Sequence, residues 1–402
     1  MEFNKDIALG YIREWEELCE ADGGKLWAVD LRMPVVIVDT VTREAVSNEP
    51  DFKAFPADAP ISATWIEFDG KWYGTVPWQI LPEASHSQRM GVIAHEAFHA
   101  LQQTLFGQAS EKAKQNTHLN ELEARVLVFV ELDALVAVLE SDGEEQTKAA
   151  QAALSARAKR REIYGAGGEA AAEICEGTAV YTEVMMSDSK NILERAKEQA
   201  QSAREVALPN YYGYAAGSLY SFALDTLGIK WKQGLRHDSD LGYILAKTIS
   251  PAEIDLNDYG YSEIFAIEKQ AQEEREMHEK IIKDAFSSRS LLICKEEGRR
   301  AIWGHVIEIA DFGKILRGQV EYIGDFGKIF VNKDNFVGAL EAGGDLDFLA
   351  HKDGYCAVFA EDVQLSETSA TGKYWELELN DGYTISQNAA DFEIVKVQVA
   401  RT

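Results

Sequence analysis

Apolar residues recur along the chain with two different periods, and the change between them divides it. Near the N-terminus Ile7, Tyr11, Trp15 and Leu18 fall at helical spacing, and Gly23-Gly24 closes the helix they predict. Pro34-Val35-Val36-Ile37-Val38 reads as a buried strand. Two extended runs, 62–68 and 71–76, flank Asp69-Gly70, a dipeptide that favours a tight hairpin turn. From about Glu83 to Lys283 the pattern is mostly helical. Proline-free stretches cover 84–106, 118–140 and 144–164, and a fourth helix runs from Gly167-Gly168 to about Met186. Residues 262–286 are long, charged and helical in pattern. After Ser288 apolar and polar residues alternate between frequent Gly, Asp and Asn, as in an antiparallel β domain. There Asp311-Phe312-Gly313-Lys314-Ile315 recurs as Asp325-Phe326-Gly327-Lys328-Ile329, which reads as two similar strand entries. The expected fold class is α+β. A mostly helical domain over 1–287, with an α/β part at 1–80 and a helical part at 81–287, precedes an all-β domain over 288–402.

Composition narrows the functions available. The 402 residues are 46% hydrophobic and 27% charged, the balance of a soluble globular protein. With 67 acidic against 40 basic residues the formal net charge is -27, which repels phosphate backbones and anionic lipid. Neither nucleic acid nor a membrane is therefore an expected partner. No apolar run approaches the ~18 residues of a membrane helix, and the polar, acidic N-terminus lacks a signal-peptide layout, so the expected location is cytoplasmic. Cys19, Cys175, Cys294 and Cys356 are scattered without CxxC spacing, against a disulfide framework or a cysteine zinc site.

One motif carries chemistry. Residues 93–103 read Ile-Ala-His-Glu-Ala-Phe-His-Ala-Leu-Gln-Gln. His95 and His99, four apart on a helix, lie one turn above each other on the same face, where both imidazoles can reach one ion. Glu96 stands beside them, where a carboxylate can take a proton from a water activated by zinc. Val92, Ile93, Ala94, Ala97, Phe98 and Leu101 make the helix apolar on several sides, and Gly107 is placed to end it.

A catalytic zinc takes three protein ligands, and no third histidine follows at metzincin spacing, so a carboxylate is expected. Two regions offer one. Spacing favours Glu121 and Glu123, some twenty residues past His99. Local chemistry favours Glu176, because Gly177 and Ala179 are small enough to let its helix press on the HExxH helix. Glu173, on the same face, is a candidate acceptor for a ligand histidine. His86 and His118 read as surface residues, Cys175 as core, and the run Arg157-Ala158-Lys159-Arg160-Arg161 as a solvated helix end.

His-Glu-Ala-Phe-His followed by Glu-Gly-Thr-Ala-Val-Tyr resembles the gluzincin class of zinc metallopeptidases, over roughly residues 60–230. There a downstream helix supplies the third ligand from a Glu-Gly-x-Ala-x-Tyr pattern. More loosely, the first 260 residues resemble uncharacterised bacterial HExxH proteins, through Leu26-Trp27, Val38-Asp39 with Thr42-Arg43, and Tyr214-Ala215-Ala216-Gly217. The resemblance implies a zincin-like fold, Zn²⁺ held by His95, His99 and Glu176, Glu96 as catalytic base, and a tyrosine, Tyr214, supporting the oxyanion. Glu176 follows His99 by 77 residues, more than is common in the class, with a helical hairpin as the insertion. The function implied is hydrolysis of a peptide or protein substrate. The alternative is an interaction protein on a zincin scaffold, acting through its C-terminal β domain.

Overall fold

The computed structural model describes residues 3–57, 59, 61–107, 116–205 and 208–273, and strand segments between 291 and 396. The chain divides into two compact units, Met1–Glu268 and Lys269–Thr402. The boundary expected at 287/288 falls among residues 274–290, which lie outside the described residues.

The first unit is mostly helical with a small mixed sheet. Helix α1 (Lys5–Asp22) opens on Asn4, whose side chain accepts from the Ile7 N–H, and closes on Gly23 in the left-handed region. Its buried stripe is Ala8, Ile12, Trp15 and Cys19. That is one position round from the expected stripe, and Ile7 is 46% exposed. Small Ala8 and Cys19 let the helix lie closer to the core than the bulkier residues beside them would.

Strands β1 (Val35–Val38), β2 (Ala45–Ser47), β3 (Thr64–Phe68) and β4 (Lys71–Pro77) form a sheet in the order β2-β1-β4-β3. β1 and β4 are parallel, the other pairs antiparallel, and β3 is an edge. The β3–β4 hairpin turns at Asp69-Gly70, whose φ angles of 50° and 72° are those a type I′ turn needs. Strand alternation sends Val35, Ile37 and Val76 to the main core and Val36, Val38 and Tyr73 to a second cluster with Phe55.

Helix α2 (His86–Leu105) starts with a capping box between Ser85 and Gln88, and ends before Gly107, which takes a left-handed φ of 81°. It is buried almost continuously from Met90 to Gln102, so the HExxH segment lies inside the protein. Helices α3 (Leu122–Glu140) and α4 (Gly143–Tyr164) follow as an antiparallel pair. α5 (Glu169–Ala172) runs through one π-helical turn, Glu173–Gly177, into α6 (Thr178–Ser187). Then come α7 (Ile192–Glu205), α8 (Leu208–Thr226) and α9 (Leu241–Ala246), and residues 261–273 are helical.

The basic run of α4 is not the solvated helix end that its charge suggested. Arg157 is 4% and Arg160 0% exposed. Arg157 forms a fork on Glu173 at 2.5 and 2.9 Å and reaches Asp240 at 3.1 Å. Arg160 bonds Glu131 at 2.5 Å and Glu169 at 2.8 Å, while the Tyr212 hydroxyl donates to Glu173 at 2.7 Å and that of Tyr220 to Glu131 at 2.7 Å. Buried charge is tolerable only when paired this fully.

In the second unit the described residues from 291 onward are mostly strands. Gly313–Gly324 and Gly327–Leu340 form a long antiparallel pair, each beginning in one copy of the repeated Gly-Lys-Ile. Asp391–Lys396 lies parallel to Leu291–Lys295, so the sheet is not purely antiparallel. Its register sets Cys356 opposite Cys294, a proximity that sequence spacing did not indicate. Among the described residues no helix is long and apolar enough to cross a membrane.

Candidate metal centre

Two elements press on the HExxH helix. On one side is β4, where a Cβ on Gly74 would lie 2.6 Å from the Glu96 backbone, so only glycine lets the strand sit directly on the motif. On another is α6. Gly177 meets α8 rather than α2: a Cβ there would lie 2.3 Å from the Gly217 Cα. The close approach expected at Gly177 is real, but its partner is a different helix.

His95, His99 and Glu176 come together, with one potential ligand atom of each within 4.8 Å of the others. The two Nε2 atoms are 3.0 Å apart, and Glu176 Oε2 is 3.3 Å from that of His99 and 3.7 Å from that of His95. His95 Nδ1 lies 3.2 Å from Glu183 Oε2, and His99 Nδ1 lies 2.9 Å from Gln102 Oε1. Carboxylate and amide oxygens only accept, so both Nδ1 atoms carry a proton, and each Nε2 is the atom left to bind a cation, whether a metal or a proton. Glu176 Oε2 is buried and makes no hydrogen bond. Three acceptors facing one point call for a cation, and a two-imidazole, one-carboxylate set suits zinc.

The electrostatics agree. Burial opposes charge on His95, yet Glu176 and Glu183 outweigh it and lift its pKa to about 10. Burial also pushes the Glu176 carboxyl up, but His95 and His99 hold it well below the usual range. Burial raises Glu96, which is 6% exposed. Such a pocket seeks positive charge.

Tyr214 stacks on His95 with ring centroids 6.0 Å and planes 9° apart, and Tyr211 stacks on Tyr214 at 5.4 Å. Burial and the Glu176 carboxylate raise the pKa of the Tyr214 phenol, keeping it a donor at neutral pH.

Glu121 and Glu123 are not in the cluster. Glu121 precedes α3, and Glu123 bonds Tyr261 at 3.1 Å and Lys159 at 3.1 Å. Glu173 does not hold a ligand histidine, because Arg157 and Tyr212 take its carboxylate. Cys175 is only partly buried, its Sγ 3.6 Å from Glu176 Oε1, because the wide π turn leaves the two neighbours on adjoining faces. His86 is exposed as expected, but His118 is mostly buried and meets Glu169 at 2.9 Å.

Sequence spacing does not single out Glu183 and Gln102 as the acceptors for His95 and His99. It leaves only a trace of them: Glu183 is seven residues after Glu176, two turns along the same face, and Gln102 is three after His99. Trp65 on edge strand β3, its ring centroid 4.3 Å from that of His99, left no such trace, since the contact joins distant parts of the chain. Compared with protein-family models, curated proteins and solved structures, the chain matches none.

Proposed function

We propose that the first unit is a zinc-dependent metallopeptidase of zincin-like build, in which His95, His99 and Glu176 hold the metal. The observation that carries this reading is the convergence of His95 Nε2, His99 Nε2 and a Glu176 oxygen beside Glu96, two of the three on a buried helix under a small mixed sheet. When bound, zinc supplies a Lewis acid that polarises a carbonyl and acidifies water.

The remaining work falls to the chain's own residues. Glu96 accepts the proton of the attacking water and passes it to the leaving amine. Glu183 and Gln102 keep the two imidazoles oriented. Tyr214 donates toward the developing oxyanion from its place against His95. β3 borders this site through Trp65, so a peptide or protein substrate meets an open strand edge beside the reacting groups.

The test pairs metal content with cleavage of a peptide library, wild type against Glu96→Gln. About one zinc per chain is expected in both, with cleavage lost by ~100-fold or more in the variant. Metal in both with cleavage in neither would instead make this a metal-bearing interaction protein. Unimpaired cleavage by Glu96→Gln would place the base elsewhere.

A further inference from the structure

Gln102 touches both ligand-bearing helices. Its Oε1 accepts from His99 Nδ1 at 2.9 Å. Its Nε2, with two protons, lies 2.8 Å from the Cys175 carbonyl, 3.1 Å from the Ile174 carbonyl and 2.9 Å from Thr178 Oγ1, so it donates to these three acceptors with one proton shared. All but the hydroxyl among these are obligate acceptors, so the amide cannot turn over without setting oxygen against oxygen. That fixes Oε1 toward His99 and the His99 proton on Nδ1.

The two carbonyls belong to the π turn, Glu173–Gly177, that carries Glu176. A π turn widens the helix and disturbs the regular i→i−4 ladder, and carbonyls within it need other donors when buried. Gln102 is 4% exposed, so water does not compete for its amide. On the far side of the turn, Arg157 holds Glu173 and Gly177 lies against Gly217, but neither reaches a ligand histidine.

We infer that Gln102 is a positioning residue that couples the halves of the metal centre, setting the His99 tautomer with its oxygen and holding the Glu176 turn open with its nitrogen. This rests on the zinc reading above, and it goes further by assigning both functions to one amide. Its removal therefore disturbs two ligands at once.

Two substitutions in the full-length protein separate the functions. Gln102→Glu keeps the acceptor and loses the donors, whereas Gln102→Met loses both at similar size. Zinc affinity by competitive chelator titration should fall about 10–100-fold in each. The visible spectrum of the cobalt-loaded forms should shift as Glu176 moves. Imidazole ¹⁵N signals of metal-free protein at pH 8 should show the His99 proton on Nδ1 in wild type and Gln102→Glu, and displaced in Gln102→Met. A core variant away from the centre, Leu224→Ala, should lower Tm without weakening zinc, which separates positioning from general destabilisation. Zinc held as tightly as wild type by both Gln102 variants would overturn the inference, as would an unchanged His99 tautomer in Gln102→Met. If wild type takes up no metal, the peptidase reading fails, and the His99 ring signals still decide whether the amide sets the tautomer.

Discussion

Two charge-rich clusters flank the π-helical turn at Glu173–Gly177, and they are wired in opposite ways. On one side Glu173 joins Glu131, Glu169, Arg157, Arg160 and two tyrosine hydroxyls, a network in which carboxylates meet guanidinium or phenol donors. On the other side Glu176 faces His95 and His99, whose protons are already committed to Glu183 and Gln102. The first cluster pairs all of its carboxylate oxygens and leaves only donors, Arg157 Nε and Arg161 Nη2, without partners, whereas the second leaves a carboxylate oxygen, Glu176 Oε2, without a donor. Burial and charge are common to both, so neither marks a site. The convergence of an unpaired buried acceptor with two imidazole nitrogens does, because such an acceptor is expensive unless something arrives to pair with it.

That contrast predicts separable effects, the largest at the metal. Glu176→Gln should weaken zinc binding by more than ~100-fold, beyond the range of losses from groups that only orient ligands. Glu121→Gln and Glu123→Gln should change it little, and chelator titration of the three variants ranks them. Loss of metal in either of the latter with retention in Glu176→Gln would break the assignment.

The network should respond in the other currency. Arg157→Met leaves Glu173 buried without its guanidinium and should cost about 3–5 kcal/mol of unfolding free energy, measured by urea titration. Its zinc affinity should change far less than that of Glu176→Gln. A variant as stable as wild type that nonetheless loses its zinc would reverse the comparison.

Acid should expose the network more gently. Burial pushes Glu169 up, but His118 and Arg160 outweigh it and hold its pKa well below the ordinary 4.5. Asp240, also raised by burial, is brought below its ordinary 3.8 by Arg157 and Arg161. A carboxylate with a depressed folded pKa contributes stability that is complete above its unfolded value and lost as pH falls through the folded one. Glu173, raised by its complete burial, acts in the opposite sense and subtracts from this. The net expectation is a Tm that falls from about pH 4.5 downward, with a shallower acid limb in Glu169→Gln. Melting curves between pH 7 and 3 check it; an unchanged acid limb in Glu169→Gln would remove Glu169 from the account.

Much of this molecule is local and so was legible along the chain. The helices at 84–106, 118–140 and 144–164 appear within a few residues of their expected ends, and Asp69-Gly70 makes its turn. The histidine pair needed only the helical repeat, because residues four apart share a face wherever the helix lies. Tertiary packing decided the rest. That Glu176, and not Glu121 or Glu123, lies beside the histidine pair depends on where the fourth helix rests, which Gly177 against Gly217 makes possible. Arg157 finds acceptors 16, 26 and 83 residues away in sequence, and no pattern around the arginine itself distinguishes that fate from solvation. Periodicity is a property of the backbone and survives in any short window. Convergence of donors and acceptors is a property of packing, and it exists only once the helices have met.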